Sequence, residues 1–240
     1  AVTLPDGVDP STHLYENGIN CEHVWPQSMY DGSEPMKSDM HHLRPCKDNV
    51  NSSRGNNPFG EISDSQTDHW YWQSQNTSYI PSSNIDEYSE SSSSYFEPRE
   101  DRKGDIARTV FYFYTMYASI SDDNFFEIQK AQLRVWHEQD PSNNDEVIRT
   151  WAIAGYQQNK PNPFILDETL IVRAYFPDEM MMVGDVNGDM ILNILDVVTM
   201  VGYIMGTTEL IPPFDVAADM NEDGIVNVLD VVTLVNFILS

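Results

Sequence analysis

A twelve-residue stretch that occurs twice is the strongest constraint on what this chain can fold into. Asp185-Val-Asn-Gly-Asp-Met-Ile-Leu-Asn-Ile-Leu-Asp196 returns 34 residues later as Asp219-Met-Asn-Glu-Asp-Gly-Ile-Val-Asn-Val-Leu-Asp230, and Val-Val-Thr follows both copies. Positions 1, 3, 5, 9 and 12 carry side-chain oxygens and position 7 offers a main-chain carbonyl, which is the ligand pattern of a calcium loop. The expected ligands are Asp185, Asn187, Asp189, Ile191 through its carbonyl, Asn193 and Asp196 in the first loop. In the second they are Asp219, Asn221, Asp223, Ile225 through its carbonyl, Asn227 and Asp230. Ca²⁺ is therefore an expected cofactor. The first loop has Met190 where the second has Gly224, at a sharp turn that costs a side-chain-bearing residue roughly 1 kcal/mol, so the first site is expected to be the weaker.

Charge divides the chain in the same place. All 13 Lys and Arg lie at or before Arg173, and residues 178–240 hold 11 acids and no base. Residues 1–177 hold 27 acids against those 13 bases. The expected organisation is a domain of residues 1–177 followed by a small module, residues 178–240. Such acidity argues against a broad electrostatic grip on nucleic acid, so chemistry on phosphates would have to rest on local charge and a metal. No apolar run approaches the span of a bilayer, and membrane insertion is not expected. A chain beginning at Ala1 reads as a processed or truncated product.

Residues 20–60 gather reactive groups. Glu22 stands beside His23, Ser38-Asp39-Met40-His41-His42 follows, and Asn51 precedes Arg54 by three positions. These are the parts a metal-assisted attack on a phosphodiester requires. Residues 20–25 read as a strand ended by Pro26, with Glu22 and His23 on opposite faces. Residues 38–45 read as a second strand ended by Pro45. Asp48 or Asn49 then caps a short helix with Asn51 and Arg54 on one side.

The three boxes Glu-His-Val-Trp-Pro-Gln-Ser, Ser-Asp-Met-His-His-Leu and Asn-Ser-Ser-Arg-Gly-Asn-Asn-Pro-Phe-Gly resemble, in that order, the endonuclease I family of secreted, non-specific nucleases. The resemblance continues through Phe96-Glu-Pro and residues 103–108 and 159–165. It implies a ββα-metal (His-Me) finger in which His23 is the general base and Glu22 and Asn51 hold Mg²⁺, with Mn²⁺ or Ca²⁺ as alternatives. The implied substrates are DNA and/or RNA, cut to 5′-phosphate and 3′-hydroxyl ends. A further family arginine on an inserted loop has no counterpart that aligns, and Arg54 is assigned as a phosphate contact with a structural role as the alternative. His41 and His42 are expected to support the site. Because the family is exported, the resemblance favours a bridge between Cys21 and Cys46, the only cysteines, over two free thiols.

The duplicated module resembles the dockerin type I repeat, which also has Asp at position 12. That implies a cohesin-like protein partner for residues 178–240 and a bacterial protein secreted or held at the cell surface. A catalytically inactive calcium-binding scaffold or adhesion protein is the alternative function. A sugar hydrolase is disfavoured, since no recognisable pair of carboxylates is presented for it.

The expected fold class is α+β, the finger braced by helices and followed by an all-α calcium module. Apolar spacing predicts a helix over 104–117 with Ile106, Ala107, Val110, Phe111, Phe113, Tyr114 and Tyr117 inward. A second begins after Asp122 or Asp123 with Phe126, Leu133 and Trp136 inward, and a third spans 142–158 with Val147, Trp151 and Ala154 inward. Residues 61–97 read as long polar surface loops. In the module, Val197, Val198, Val201, Val231, Val232 and Val235 are expected to face partly each other and partly the partner.

Overall fold

A two-stranded ribbon and the helix leaving it carry the reactive stretch in the computed structural model. The structure describes residues 3, 5–177, 182–189, 191–210 and 214–240. It divides into two compact units, Ala1–Glu168 and Thr169–Ser240.

In the first unit, helix α1 (Pro10–Glu16) opens on Asp9, whose carboxylate accepts from the Thr12 N–H. Strands β1 (Ile19–His23) and β2 (Leu43–Lys47) pair antiparallel, with Glu22 opposite Arg44 and Asn20 opposite Cys46. Helix α2 (Asp48–Arg54) follows at once, with Asp48 in its first turn. The order strand, strand, helix is the expected one, but β2 runs through Pro45 instead of stopping there. In a ribbon of two strands each has an open edge, where a missing N–H costs no ladder bond. Residues 38–42, expected as strand, instead turn around Asp39, which accepts from the Tyr112 and Tyr117 hydroxyls at 2.9 and 2.7 Å and from the Gln157 amide at 2.8 Å.

The same register corrects the expected disulfide. Cys46 pairs with Asn20 and Cys21 with Pro45, so the two thiols project from opposite faces of the ribbon, and both are free. Side chains one residue out of phase across a ladder do not meet.

Residues 61–97 are more than loop. Strands β3 (His69–Trp72), β4 (Gln75–Thr77), β5 (Ser89–Ser91) and β6 (Phe96–Glu97) form an antiparallel sheet in the order β4-β3-β5-β6. Runs of two to four residues are too short for alternation to show in sequence. Trp70 is fully buried and anchors the sheet to the core.

The brace is helical. Helix α3 (Lys103–Met116) is buried on nearly every side, and α4 (Asp123–Gln139) turns Phe126, Leu133 and Trp136 inward. Buried Lys103 ties the sheet to α3, meeting Glu61 and Glu97 at 2.8 Å and Glu100 at 2.6 Å. Gly104 is required where α3 meets the end of α4, since a Cβ there would lie 1.8 Å from the Asp140 carbonyl oxygen.

Helix α5 (Asn144–Ala154) is rotated from the expected orientation: Glu146, Thr150, Ile153 and Ala154 face inward, and Trp151 is 53% exposed. The cause is Arg108, fully buried, which holds Glu146 through Nε–Oε1 at 3.0 Å and Nη2–Oε2 at 2.5 Å. A buried guanidinium must be met by its carboxylate, and that requirement outweighs burying one indole. Helix α6 (Pro163–Leu166) completes the unit.

The second unit holds α7 (Leu170–Tyr175), α8 (Ile194–Ile204), α9 (Phe214–Ala217) and α10 (Val228–Leu239). Val186, Val197, Met200, Ala218 and Leu234 form its core, with Val231 and Val235 partly buried against it. Val198 and Val232 face solvent. Asn193 with Asp196 and Asn227 with Asp230 build matching capping boxes at the starts of α8 and α10. Among the described residues no helix is long and apolar enough to cross a membrane.

Glu90 gives the first unit a pH dependence. It is buried in β5 directly opposite Glu97. Burial foremost, and Glu97 in addition, raise its carboxyl to about 7 against the opposing bond from the Thr67 hydroxyl. An acid whose pKa is higher folded than unfolded contributes stability at low pH that is lost as pH climbs from 4.5 to about 7. Glu90→Gln is therefore expected to be more stable than the parent, by a margin that grows between pH 5 and pH 8 to ~1–3 kcal/mol in urea titrations. A pH-independent margin would contradict this.

Candidate active site

β1, β2, α2, the four-stranded sheet and the start of α3 wall a cavity of about 610 Å³. Glu22 reaches it from β1 and Asn51 from α2. The Asn51 amide nitrogen donates to Asn20 Oδ1 at 2.7 Å and to the Cys21 carbonyl at 3.4 Å. Both amide hydrogens are thereby spent on β1, which leaves Oδ1 as the end to offer a cation.

Glu22 is buried, and its Oε1 accepts from Arg54 Nη1 at 2.9 Å. Burial raises its carboxyl to about 7, with Arg54 pulling the other way. Arg54 itself is only 3% exposed. Its guanidinium also donates to the carbonyls of His23 at 3.3 Å, Val24 at 2.8 Å and Asn57 at 3.1 Å, and lies 4.6 Å from the Phe59 ring centroid. These contacts are those of the structural alternative, a clamp on Glu22 and the end of β1.

His23 ends β1 and is not among the residues lining the cavity. Its ring lies 5.5 Å from that of His42, and Nε2 meets the Lys37 carbonyl at 3.1 Å. A tautomer donating from Nε2 carries its lone pair on Nδ1. Burial, opposed by that carbonyl, lowers its pKa and favours the neutral ring. His42 is fully buried, bonded to the Met36 carbonyl at 2.6 Å and lowered by burial to about 4. His41 meets the Lys160 carbonyl at 2.9 Å. Both hold the loop between the strands. Glu22, Asn51 and Arg54 are thus gathered on one cavity, with His23 adjacent in chain and turned toward His42. Arg44 and Arg149 also line the cavity and were assigned no role from sequence.

The donor set fits a divalent ion held by few protein groups. Among the described residues no three His, Cys, Asp or Glu converge on one point. One carboxylate and one amide oxygen suit Mg²⁺, which retains several of its waters.

The two loops of the second unit share two main-chain bonds at their closing position, and the first adds a third. Asp196 accepts from the Val186 and Asn187 N–H groups at 3.1 and 3.3 Å and from Asn193 at 2.9 Å. Asp230 accepts from Asn221 at 3.2 Å and Asn227 at 2.8 Å. Asp196 and Asp230 are fully buried and Asp185 nearly so, yet no Lys or Arg follows Arg173. Asp196 and Asp230, buried and holding main-chain N–H groups of their own loops, are carboxylates of the kind that fit a bound cation. Gly224 takes φ +82° at the turn of the second loop. Met190, its counterpart in the first, lies outside the described residues.

The family model described as Endonuclease I matches residues 7–168, and that of the Dockerin type I domain matches residues 183–239. An extracellular ribonuclease of Bacillus subtilis (strain 168) is 30% identical over 168 residues, covering 61% of this chain and 50% of the relative. One from Bacillus amyloliquefaciens is 28% identical over 166 residues with the same coverage. The chain spans about half the length of these curated relatives.

The Arg54 clamp is testable without any substrate. Arg54→Ala leaves Glu22 buried and unpaired and is expected to cost ~3 kcal/mol or more in urea unfolding, with part of the loss recovered in Arg54→Ala/Glu22→Gln. Additive single losses would show that the two side chains are not coupled.

Proposed function

The chain belongs to the endonuclease I family. From that membership and the cavity geometry we propose that its first unit is a secreted, sequence-non-specific nuclease, cutting DNA and/or RNA to 5′-phosphate and 3′-hydroxyl ends. The observation that carries the reading is the pair Glu22 and Asn51, whose oxygens share a cavity with several arginines. We place the boundary with the calcium module within residues 169–182, between the first unit and the dockerin match.

Glu22 and Asn51 would hold the ion, preferentially Mg²⁺ with Mn²⁺ or Ca²⁺ as alternatives. Bound there, it supplies Lewis-acid charge at the scissile phosphate. Arg54 keeps Glu22 oriented. His23, next to Glu22 on β1 but outside the cavity lining, is assigned as the base from family membership, accepting the proton of the attacking water at Nδ1 while the Lys37 carbonyl fixes its ring. The intact Glu22, His23 and Asn51 favour this over an inactive scaffold. The word extracellular in the names of both relatives, together with the dockerin match, supports a secreted or surface-attached bacterial protein.

For the second unit we propose Ca²⁺ in both loops and a cohesin-like partner. Ile194, Leu195 and Val198 are exposed on α8, and Val228, Leu229 and Val232 are exposed at the equivalent positions of α10. These apolar groups are the surface such a partner would cover.

Plasmid DNA and RNA should be degraded with Mg²⁺ and spared in EDTA. His23→Ala is expected to lose ~10²–10⁴-fold in rate while Mg²⁺ binding by calorimetry is unchanged. Glu22→Gln or Asn51→Ala should instead raise the Mg²⁺ needed for half-maximal rate. Near-normal turnover in His23→Ala would sink its role as base.

Calcium is expected to stabilise the second unit. Titrating the EDTA-treated chain with Ca²⁺ should restore helical circular dichroism and reveal two sites, the first weaker, with Asp196→Ala and Asp230→Ala each deleting one. Helicity unchanged by EDTA would count against the module's dependence on the ion.

A further inference from the structure

Six of the chain's 13 lysines and arginines, Arg44, Lys47, Arg54, Arg99, Arg102 and Arg149, line the cavity that holds Glu22 and Asn51. In a chain of net charge −25 that concentration runs against the overall field. Lys47 is exposed, and three of the others are matched to carboxylates. Arg54 pairs with Glu22 at 2.9 Å, Arg99 with Asp101 at 2.7 Å, and Arg102 with Asp105 at 3.1 Å.

Arg149 and Arg44 are different. Among the described residues Arg149 has no carboxylate within ion-pair distance, and only its Nη2 is hydrogen-bonded, to the carbonyls of Met40 at 3.0 Å and Leu43 at 2.7 Å. Arg44 has a share in Asp105, at 3.7 Å, which Arg102 holds more closely. Its Nη2 meets Thr109 Oγ1 at 3.0 Å, and its Nε is buried without a partner. Burial first, and then Arg44, lower Arg149 to about 10 against the opposing pull of Asp105 and Glu146. Two neighbouring guanidiniums with spare donors and a contested carboxylate are stabilised by an anion between them. Arg44 stands directly opposite Glu22 across the ribbon, so that anion would lie beside the proposed ion site.

We infer that Arg149 and Arg44 form a phosphate subsite of the nuclease cavity, seating a backbone phosphate next to the one attacked. The planar fork of arginine matches phosphate oxygens in pairs, which a diffuse acidic surface cannot do. The subsite explains how a strongly acidic chain holds a polyanion: binding is local, through two charges fixed by β2 and α5. It rests on the nuclease reading for its substrate, but its anion chemistry is measurable separately.

The test uses the full chain, Arg149→Gln, Arg149→Lys and Arg44→Gln. Binding of a fluorescent oligonucleotide in EDTA is followed by anisotropy across salt concentrations, and cleavage is followed in Mg²⁺. Arg149→Gln should raise KM about 10-fold with a much smaller change in kcat, and reduce the salt slope of binding by about one. Arg149→Lys should restore the slope. Inorganic phosphate should compete with the oligonucleotide for the parent and far less for Arg149→Gln. A merely structural Arg149, holding two carbonyls, would lower the unfolding midpoint and leave the slope unmoved, and Arg44→Gln gives the same readout should Arg149→Gln not fold. A parent that cleaves while slope and KM are unchanged in both glutamine variants overturns the subsite and leaves the nuclease reading standing. A parent that binds with an Arg149-dependent slope but never cleaves does the reverse. Competition by inorganic phosphate without oligonucleotide binding would support an anion site for free phosphate and overturn the polynucleotide subsite.

Discussion

The guanidinium of Arg54, buried against the Glu22 carboxylate, joins the end of β1 to the last turn of α2. Without it the buried Glu22 would lose its cationic partner, and contacts to three consecutive residues, Glu22, His23 and Val24, would open with it. The pair adds little to net stability compared with apolar residues of the same shape. What it fixes is position, since a charged group taken out of water has few places to go. Asn51 depends on the same joint, because its amide reaches back from α2 to Asn20 and Cys21.

A second buried pair, Arg108 with Glu146, does for the brace what Arg54 does for the site. It decides which side of α5 faces α3, and through α5 it places Arg149 against β2. The loop between the ribbon strands is then pinned from the helical side by Tyr112, Tyr117 and Gln157 on Asp39. Polar groups buried this far from solvent are costly if left unmatched, and Asp39 is met by all three of these donors.

Electrostatics differ between the two units. In the first, scattered bases are drawn into one cavity, so a negative chain presents a positive recess. In the second there is no Lys or Arg after Arg173, and the fold buries Asp185, Asp196 and Asp230 regardless. A cation bound in those loops would couple its binding to the folding of the unit.

The amino-acid sequence by itself determined the features whose parts lie close together along the chain. Each of the two loops carries all the oxygens proposed as its ligands within twelve residues, and the strand, strand, helix order around Glu22, His23 and Asn51 is written within forty. The inward faces of α3 and α4 follow from apolar spacing alone. Tertiary structure decided the rest. A one-residue phase in the β1–β2 register separated Cys21 from Cys46 and put Cys46, whose thiol burial raises to about 12, on the cavity side with Glu22. The buried Arg108 overrode the apolar stripe of α5 and left Trp151 in solvent. Arg149 reached the ribbon from 106 residues beyond Leu43, a distance over which no local pattern carries information. The physical reason is common to all three: propensity and periodicity act between neighbours in sequence, whereas register, buried charge and cavity lining are settled by groups that meet only after the chain has folded.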